Sequence, residues 1–90
     1  MIEVGQYVRA VLAEGIAAVP QETEELEPQM HREGVVVQLR PAVGTFVLED
    51  YFENEHVCHL NSAVIVDPTT LDSYLHGWVA KRARELGRAA

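Results

Sequence analysis

The sequence predicts a mainly β fold: a small five-stranded barrel over residues 1–67 with a C-terminal α-helix over residues 68–90. Three observations predict it, namely short β-branched runs between turn residues, a tight Pro–Gly turn, and one apolar stripe at helical spacing. The 90 residues fit a single domain, to which both barrel and helix belong. A chain of this length buries only about 60–65% of its unfolded surface, so we expect a thin core.

Five short apolar runs predict the strands, at residues 6–12, 35–39, 45–48, 56–60 and 63–66. In the first run, alternate residues share one face: Val8, Ala10 and Leu12. Gly34 opens the second run. Pro41 and Gly44 predict the turn of a hairpin, since proline suits an early turn position and glycine a later one with positive φ. Glu53-Asn54-Glu55 predicts a further turn before the fourth run.

The helix is predicted over about residues 69–86. Asp67 caps the first N–H groups, and Pro68 takes the first helical position, where its missing N–H costs nothing. Gly87 is typical of a helix C-terminus, and Gly77 inside the helix predicts a close approach by another part of the molecule. The apolar stripe consists of Leu71, Tyr74, Leu75, Trp78, Val79 and Leu86. The barrel, a second copy or a partner must cover this stripe.

Residues 13–33 predict a long loop, because prolines and glycine interrupt them and acids dominate their centre. A loop of about 20 residues is unusual in a compact domain and often functional. Its acidic residues are Glu22, Glu24, Glu25 and Glu27. They do not follow the EF-hand pattern, so the two interpretations are a solvated acidic loop and a docking loop for a basic partner. With the five short strands and the tight hairpin, this loop fits a barrel of the SH3-like kind.

Charge is distributed unevenly along the chain. Residues 1–67 hold three arginines against twelve acids, and residues 68–90 hold four basic residues against two acids, which gives a net charge of −7. Because an acidic body repels phosphate, we expect no nucleic-acid partner. No apolar stretch reaches the ~18–20 residues that span a bilayer, and the first residues lack the features of a secretion signal. With its single Cys58, we predict a cytoplasmic protein without a membrane partner.

Four aromatic residues are candidates for partner binding. Tyr51 and Phe52 follow the third strand, where they would lie on the rim of the barrel. Tyr74 and Trp78 belong to the helical stripe. Trp and Tyr often anchor interfaces, but a helix on a small barrel also needs core residues, so both interpretations stay open.

His56, Cys58 and His59 are the residues with metal-ligand chemistry. In a strand, His56 and Cys58 share a face, whereas His59 points to the other. Structural zinc usually takes four ligands, so we predict no metal site and no cofactor. Cys58 lacks a third group that would orient a neighbouring histidine as its base, so we predict no enzyme.

Three segments resemble a known family of accessory proteins. They are Glu3-Val-Gly-Gln-Tyr-Val-Arg9, Arg32-Glu-Gly-Val-Val-Val-Gln-Leu-Arg40 and Val43-Gly-Thr-Phe46. Their order is similar to that of the NifZ-type family, which assists maturation of nitrogenase metal clusters, over about residues 3–66. Similar layouts occur in the β-subunit barrel of nitrile hydratases and in a small subunit of photosynthetic NDH complexes. The resemblance implies an SH3-like fold and an accessory role, in nitrogen fixation for the nearest family.

The leading hypothesis is an accessory or assembly factor that binds a larger enzyme or metalloenzyme complex. It would dock through the acidic loop and the aromatic rim. The alternative is a structural subunit of a larger assembly, an enzyme complex or a virion, anchored by the helix; it predicts self-association or co-assembly. An enzyme centred on Cys58 and His56 is the third hypothesis, and it requires an unusually reactive thiol.

Overall fold

The computed structural model describes residues 2–13 and 30–87, which form one antiparallel sheet and one α-helix. The strands are β1 (Tyr7–Val11), β2 (His31–Arg40), β3 (Thr45–Glu49), β4 (Glu55–His59) and β5 (Val64–Ile65), and the helix is α1 (Ser73–Glu85). The prediction of a mainly β fold with five strands and a C-terminal helix is confirmed. Residues 14–29 of the predicted loop, which include its four glutamates, lie outside the described residues, and residues 31–33 belong to β2 and not to a loop.

The strands are ordered β4-β3-β2-β1-β5 across the sheet. The predicted hairpin is confirmed as β2 and β3, which pair from Arg40 with Thr45 to Val35 with Glu49. The turn between them contains Pro41, and Gly44 closes it with a φ of 74°. The register shifts between Val36 and Gln38, which marks a β-bulge in β2. A bulge bends its strand, so it adds to the curl of the sheet.

The sheet curls but, over the residues described, is not closed into a barrel. The residues just after β1 reach β4, since Leu12 bridges Cys58 and the Ala13 N–H donates to the Val57 carbonyl at 2.8 Å. Closure would need a continuous ladder between the two outer strands, β4 and β5. However, β5 is only two residues long and pairs with β1. The predicted closed barrel is therefore wrong, and the predicted fifth strand over residues 63–66 is shorter.

The two faces of the sheet pack against different partners. One face, with the N-terminal residues folded over it, forms the larger core. Its buried members are Ile2, Val8, Ala10, Val36, Phe46, Leu48 and Cys58. The other face is covered by α1 and contributes Tyr7 and Val35, which pack with Val79 of the helix. The helix thus packs on its own sheet, which was one of the three predicted possibilities.

Gly34 is inside β2, although the sequence predicted that it opens the strand. A Cβ built on Gly34 would lie 2.3 Å from the Glu49 carbonyl oxygen and 2.9 Å from Leu48 Cδ1. Glycine is needed because the backbone of β3 passes directly over this position. The strand begins earlier, at His31, because residues 31–34 pair with β1.

The two predicted start signals, the Asp67 cap and Pro68, precede α1 but are separated from it by an extended residue. Asp67 caps as predicted, accepting from the Thr69 N–H at 3.0 Å, but it caps a 3₁₀ turn that begins at Pro68. Leu71 is extended, with φ −89° and ψ 159°, so the α-helix begins only at Ser73. Leu71 packs against the core under the helix, which favours this break.

The two glycines of the helical region behave differently. Gly87 follows the helix with a φ of 83°, as predicted for its C-terminal position. The close approach predicted at Gly77 is not found among residues 2–13 and 30–87, none of which lies within 4 Å of a Cβ placed there. Gly77 is exposed, so packing does not explain the glycine.

Candidate protein-binding surface

The turn between β3 and β4, residues 50–54, is organised by the carboxylate of Asp50. Its Oδ1 accepts hydrogen bonds from the backbone N–H groups of Phe52 and Asn54, both at 2.9 Å. The Asp50 N–H donates to the Asn54 carbonyl at 3.0 Å, which closes the turn. We call these five residues the Asp50 turn. Because the backbone is held at both sides of Tyr51 and Phe52, these aromatic residues are presented on an ordered loop.

A histidine fixes the carboxylate that organises the turn. Nε2 of His56 lies 2.9 Å from Asp50 Oδ2. Partial burial acts to raise the pKa of Asp50, but the hydrogen bonds from His56 and from the turn's backbone prevail, so the pKa lies below its usual value. An ionised carboxylate only accepts hydrogen bonds, so Nε2 of His56 is the donor. The His56 side chain therefore has a structural role, because it holds the carboxylate that organises the turn.

Glu53 has an uncommon backbone conformation within the Asp50 turn. Its φ is 69°, the one positive value at a non-glycine among the described residues. Left-handed backbone costs a non-glycine residue about 1 kcal/mol. The Glu53 N–H donates to the Asp50 carbonyl at 2.9 Å, which ties this conformation to the turn. Its side chain is exposed.

Four aromatic side chains lie together where the Asp50 turn meets α1. The ring centroid of Tyr51 is 5.5 Å from that of Phe52, 5.2 Å from that of Tyr74 and 5.8 Å from that of Trp78. All three pairs are edge-to-face, the arrangement that aromatic quadrupoles favour. Phe52 is 78% exposed, Tyr74 56% and Tyr51 40%. We call these four residues the aromatic surface.

Trp78 connects the aromatic surface to the core. It is half-buried and packs against the core under the helix, which includes Tyr7 and Val35. Its indole also contacts the ring of Tyr51. Trp78 is therefore in part a core residue, and its role at an interface stays a prediction.

Polar contacts as well as apolar ones place α1 beside the turn. The guanidinium of Arg82 donates to the carboxylate of Glu49, which is only 9% exposed. The same guanidinium reaches Glu85 on the helix at 3.3 Å. Glu49 immediately precedes Asp50, so this ion pair holds the helix at the end of β3 where the Asp50 turn begins.

Tyr7 lies beneath the helix, and the pKa of its hydroxyl group is affected by burial and by nearby charges. Its hydroxyl donates to Glu33 Oε1 at 3.2 Å. Burial, followed by the charge and hydrogen bond of Glu33 and the charges of Tyr74 and Asp50, raises the pKa of Tyr7 to about 12. Burial and the neighbouring negative charges therefore both oppose ionisation of the phenol.

The structure separates the predicted site residues into two groups. The four predicted aromatic residues are brought into one cluster, although they come from a turn and a helix more than 20 residues apart. The predicted acidic residues, Glu22, Glu24, Glu25 and Glu27, lie outside the described residues. Sequence reasoning missed Asp50 and the Glu49–Arg82 pair, which position the cluster. An aspartate four residues before asparagine in a turn was the available signal for Asp50.

Two of the residues considered for metal binding and catalysis lie in the core or in contact with the Asp50 turn. Cys58 is fully buried in the larger core, and His56 is bound to Asp50. Residues 2–13 and 30–87 contain no cluster of three or more histidine, cysteine or acidic side chains placed to hold a metal ion. Within the same ranges, no helix has the length and apolar character needed to cross a membrane.

Comparison with known proteins gives no match to the chain, whether with protein-family models, with curated proteins or with solved structures. A role for the aromatic surface therefore rests on the geometry and charge of the described residues. Those features favour contact with another protein, since exposed aromatic clusters next to a polar rim are typical of interfaces.

Proposed function

We propose that this chain is a small, non-catalytic accessory or assembly factor that binds a larger enzyme or metalloenzyme complex through the aromatic surface. The observation that supports this is the joining of Tyr51, Phe52, Tyr74 and Trp78 in one exposed cluster. Exposed apolar patches that polar residues surround often mark protein-interaction sites. Tyr and Trp are also the residues most enriched among those that dominate binding energy.

The Asp50 turn favours binding because it orders the aromatic residues before a partner arrives. Ordering a loop on association costs about 0.5–1.5 kcal/mol for each side chain that is immobilised. Here the hydrogen bonds of Asp50 and the edge-to-face contacts of Tyr51 already provide part of that order. A binding surface that is built in this way loses less free energy on association.

The acidic segment is the second part of the proposed docking site. Its glutamates, Glu22, Glu24, Glu25 and Glu27, give the chain a local negative charge that attracts a basic client. Such charges act mainly on the association rate and are screened by salt. Reversal of the four charges should therefore slow association at low salt and have less effect at high salt. Equal association rates at low salt would remove the segment from the docking site.

The resemblance to the NifZ-type family supports the client class and the finer classification of the fold as SH3-like. It rests on residues 3–66, which span all five strands and the long segment between β1 and β2. On this proposal the factor acts in the cytoplasm and holds an immature or open form of a metalloenzyme. It does so by binding that form more tightly than the mature one, which shifts the population.

Affinity capture of the tagged protein from its host tests the proposal, under anaerobic conditions and at low salt. Three baits are compared: wild type, Phe52→Ala and Val43→Ala. Val43 is a matched control, since it is 71% exposed in the turn at the opposite end of β3. We expect one stoichiometric enzyme partner with wild type and Val43→Ala, and an affinity about tenfold lower with Phe52→Ala. Equal capture by all three baits would show that the aromatic surface is not the docking site.

The alternative function, a structural subunit anchored by the helix, has one observation in its favour. The edge strand β5 exposes Val64 and Ile65, at 63% and 54%, and gives the chain a further apolar contact area. This function predicts self-association that Trp78→Ala abolishes. Sedimentation of both proteins over a range of concentrations measures it, and a monomeric wild type at high concentration contradicts self-assembly.

A further inference from the structure

The stretch of chain that carries the aromatic surface is acidic, and Arg82, which follows it on α1, is already paired with Glu49 and Glu85. Residues 41–80 contain six carboxylates and neither lysine nor arginine. Two of these carboxylates, Glu49 and Asp50, are engaged by Arg82 and His56. The side chains of Glu53 and Glu55 are exposed, and their carboxylates have no hydrogen bond or ion pair with any described residue. Both are therefore available to an incoming cation.

Glu53 and Glu55 lie close to the aromatic surface along the chain and in the sheet. Glu53 directly follows Phe52 in the Asp50 turn. Glu55 pairs with Glu49 across β3 and β4, so its side chain is on the face of the sheet that α1 covers. The aromatic surface thus has carboxylates on the side formed by the turn and the start of β4.

Aromatic rings next to carboxylates are a good site for a guanidinium group. The face of a Trp or Tyr ring attracts a cation within about 6 Å, and arginine makes this contact more often than lysine. The planar guanidinium also binds a carboxylate through two parallel hydrogen bonds. Tyr51 and Tyr74 meet edge-to-face and both remain exposed, so ring surface is available for stacking.

We propose that the occupant of the aromatic surface is an arginine-bearing basic segment of the partner protein. The guanidinium stacks on the rings of Tyr51 and Tyr74 and pairs with Glu53 or Glu55, while an apolar neighbour of the arginine packs on Phe52. This inference deepens the proposed function and rests on it. It gives the partner a defined chemistry: arginine next to a large apolar side chain.

Binding of short synthetic peptides tests this chemistry directly. The probe is a peptide of alternating arginine and leucine with blocked ends, and two control peptides carry lysine or glutamate in place of arginine. Trp78 is the one tryptophan of the chain, so its fluorescence reports binding near the aromatic surface. We expect the arginine peptide to bind most tightly, the lysine peptide several-fold more weakly and the glutamate peptide not at all. Equal binding of the arginine and glutamate peptides would overturn the proposal.

Variants of the full chain assign the binding to particular residues. Glu53→Gln together with Glu55→Gln should weaken binding of the arginine peptide about fivefold, the effect of losing an exposed ion pair. Phe52→Ala should weaken it about tenfold. Val43→Ala, the control in the distant turn, should have no effect. Unchanged affinity in both the glutamine double variant and Phe52→Ala would place the peptide elsewhere and refute the inference.

Glu53→Gly separates a role in binding from a role in folding. Glycine adopts a φ of 69° without strain, so this variant should keep or raise the melting temperature. It also removes the carboxylate, so we expect weaker binding of the arginine peptide by a more stable protein. Unweakened binding with a higher melting temperature would exclude Glu53 from the site.

Two results distinguish this inference from the proposed function. If a partner is captured through Phe52 but the peptides show no preference for arginine, the proposed function stands and the inference fails. If wild type forms a dimer that Arg84→Glu dissociates, the occupant is the basic helix end of a second copy. That result would overturn the inference that the occupant is a basic segment of a different protein, and it would also overturn the proposed accessory function.

Discussion

The two faces of the sheet are stabilised in different ways. The larger core contains six residues that are fully buried, all of them apolar or cysteine: Val8, Ala10, Val36, Phe46, Leu48 and Cys58. The core under α1 has three buried apolar residues, Tyr7, Val35 and Val79, and polar contacts support them. Those contacts are the Glu49–Arg82 ion pair and the hydrogen bond from Tyr7 to Glu33. One face is held mainly by apolar packing, and the other by a smaller apolar contact together with an ion pair and a hydrogen bond.

This difference shows which part of the molecule is suited to change on binding. The aromatic surface belongs to the weakly packed face, since Trp78 and Tyr74 are helix residues. Regions with few buried apolar contacts open at a lower free energy than the core. A partner that contacts α1 can therefore shift the helix without disturbing the larger core.

The largest expected difference is between truncations in the two cores. Phe46→Ala should destabilise the protein by about 4 kcal/mol, because a large buried ring is replaced by a cavity. Val79→Ala should cost about 2 kcal/mol, since only two methyl groups are removed and the core under α1 is small. Chemical denaturation measures both values. A greater loss for Val79→Ala would reverse the comparison of the two faces.

The ion pair of the helix-covered face is expected to have a smaller effect. Arg82→Met leaves Glu49 without its cation and should cost about 1 kcal/mol, since the Arg82 side chain is 25% exposed and solvent screens the pair. Arg82→Met with Glu49→Gln should cost less than the sum of the two single changes. A double-mutant cycle measures this coupling, and strictly additive losses would show that the two side chains do not interact.

The helix itself offers a stabilising change. Gly77→Ala should raise the free energy of unfolding by about 0.8 kcal/mol, because alanine favours the helix and the space around its Cβ is open. Lys81→Ala is a suitable control on the same helix, since it changes an exposed residue without removing a glycine. A destabilised Gly77→Ala protein would mean that Gly77 has a contact that the described residues do not contain.

The smallest expected effect is the pH dependence of the Asp50 turn. The pKa of Asp50 is below its usual value of 3.8 in the folded protein. Its contribution to stability is therefore complete above the unfolded value and is lost as pH falls toward and below the folded value. Asp50→Asn lacks this contribution, so its melting temperature should approach that of wild type between about pH 5 and pH 3. A constant difference over this range would contradict the role of the Asp50 charge.

Local patterns in the sequence predicted most of the elements. Pro41 with Gly44 gave the hairpin turn, and Asp67 with Pro68 gave the start signal before the helix. Each of these signals acts over a few residues, so it is readable without knowledge of the fold. The aromatic residues were also identifiable, because Tyr and Trp on an amphipathic helix need either a core or a partner.

Features that depend on distant residues were not predictable in the same way. The extra residues at the start of β2, including Gly34, belong to a strand only because β1 pairs with them. Arg82 and Glu49 are 33 residues apart, and no local pattern links them. The open sheet follows from the short β5, and the sequence of residues 63–66 predicted a longer strand. In each case tertiary pairing decided the outcome, and local propensity was a weak guide.

The hydrogen bond between Leu12 and Met30 has a consequence for how this protein tolerates insertions. The Leu12 N–H donates to the Met30 carbonyl at 2.8 Å, so the chain departs after β1 and re-enters before β2 at adjacent points. The paired strands hold both points in place. Doubling the length of chain between two fixed points costs only about 0.6 kcal/mol. This junction is therefore a position where added sequence, such as a reporter peptide, connects two points that the paired strands already hold.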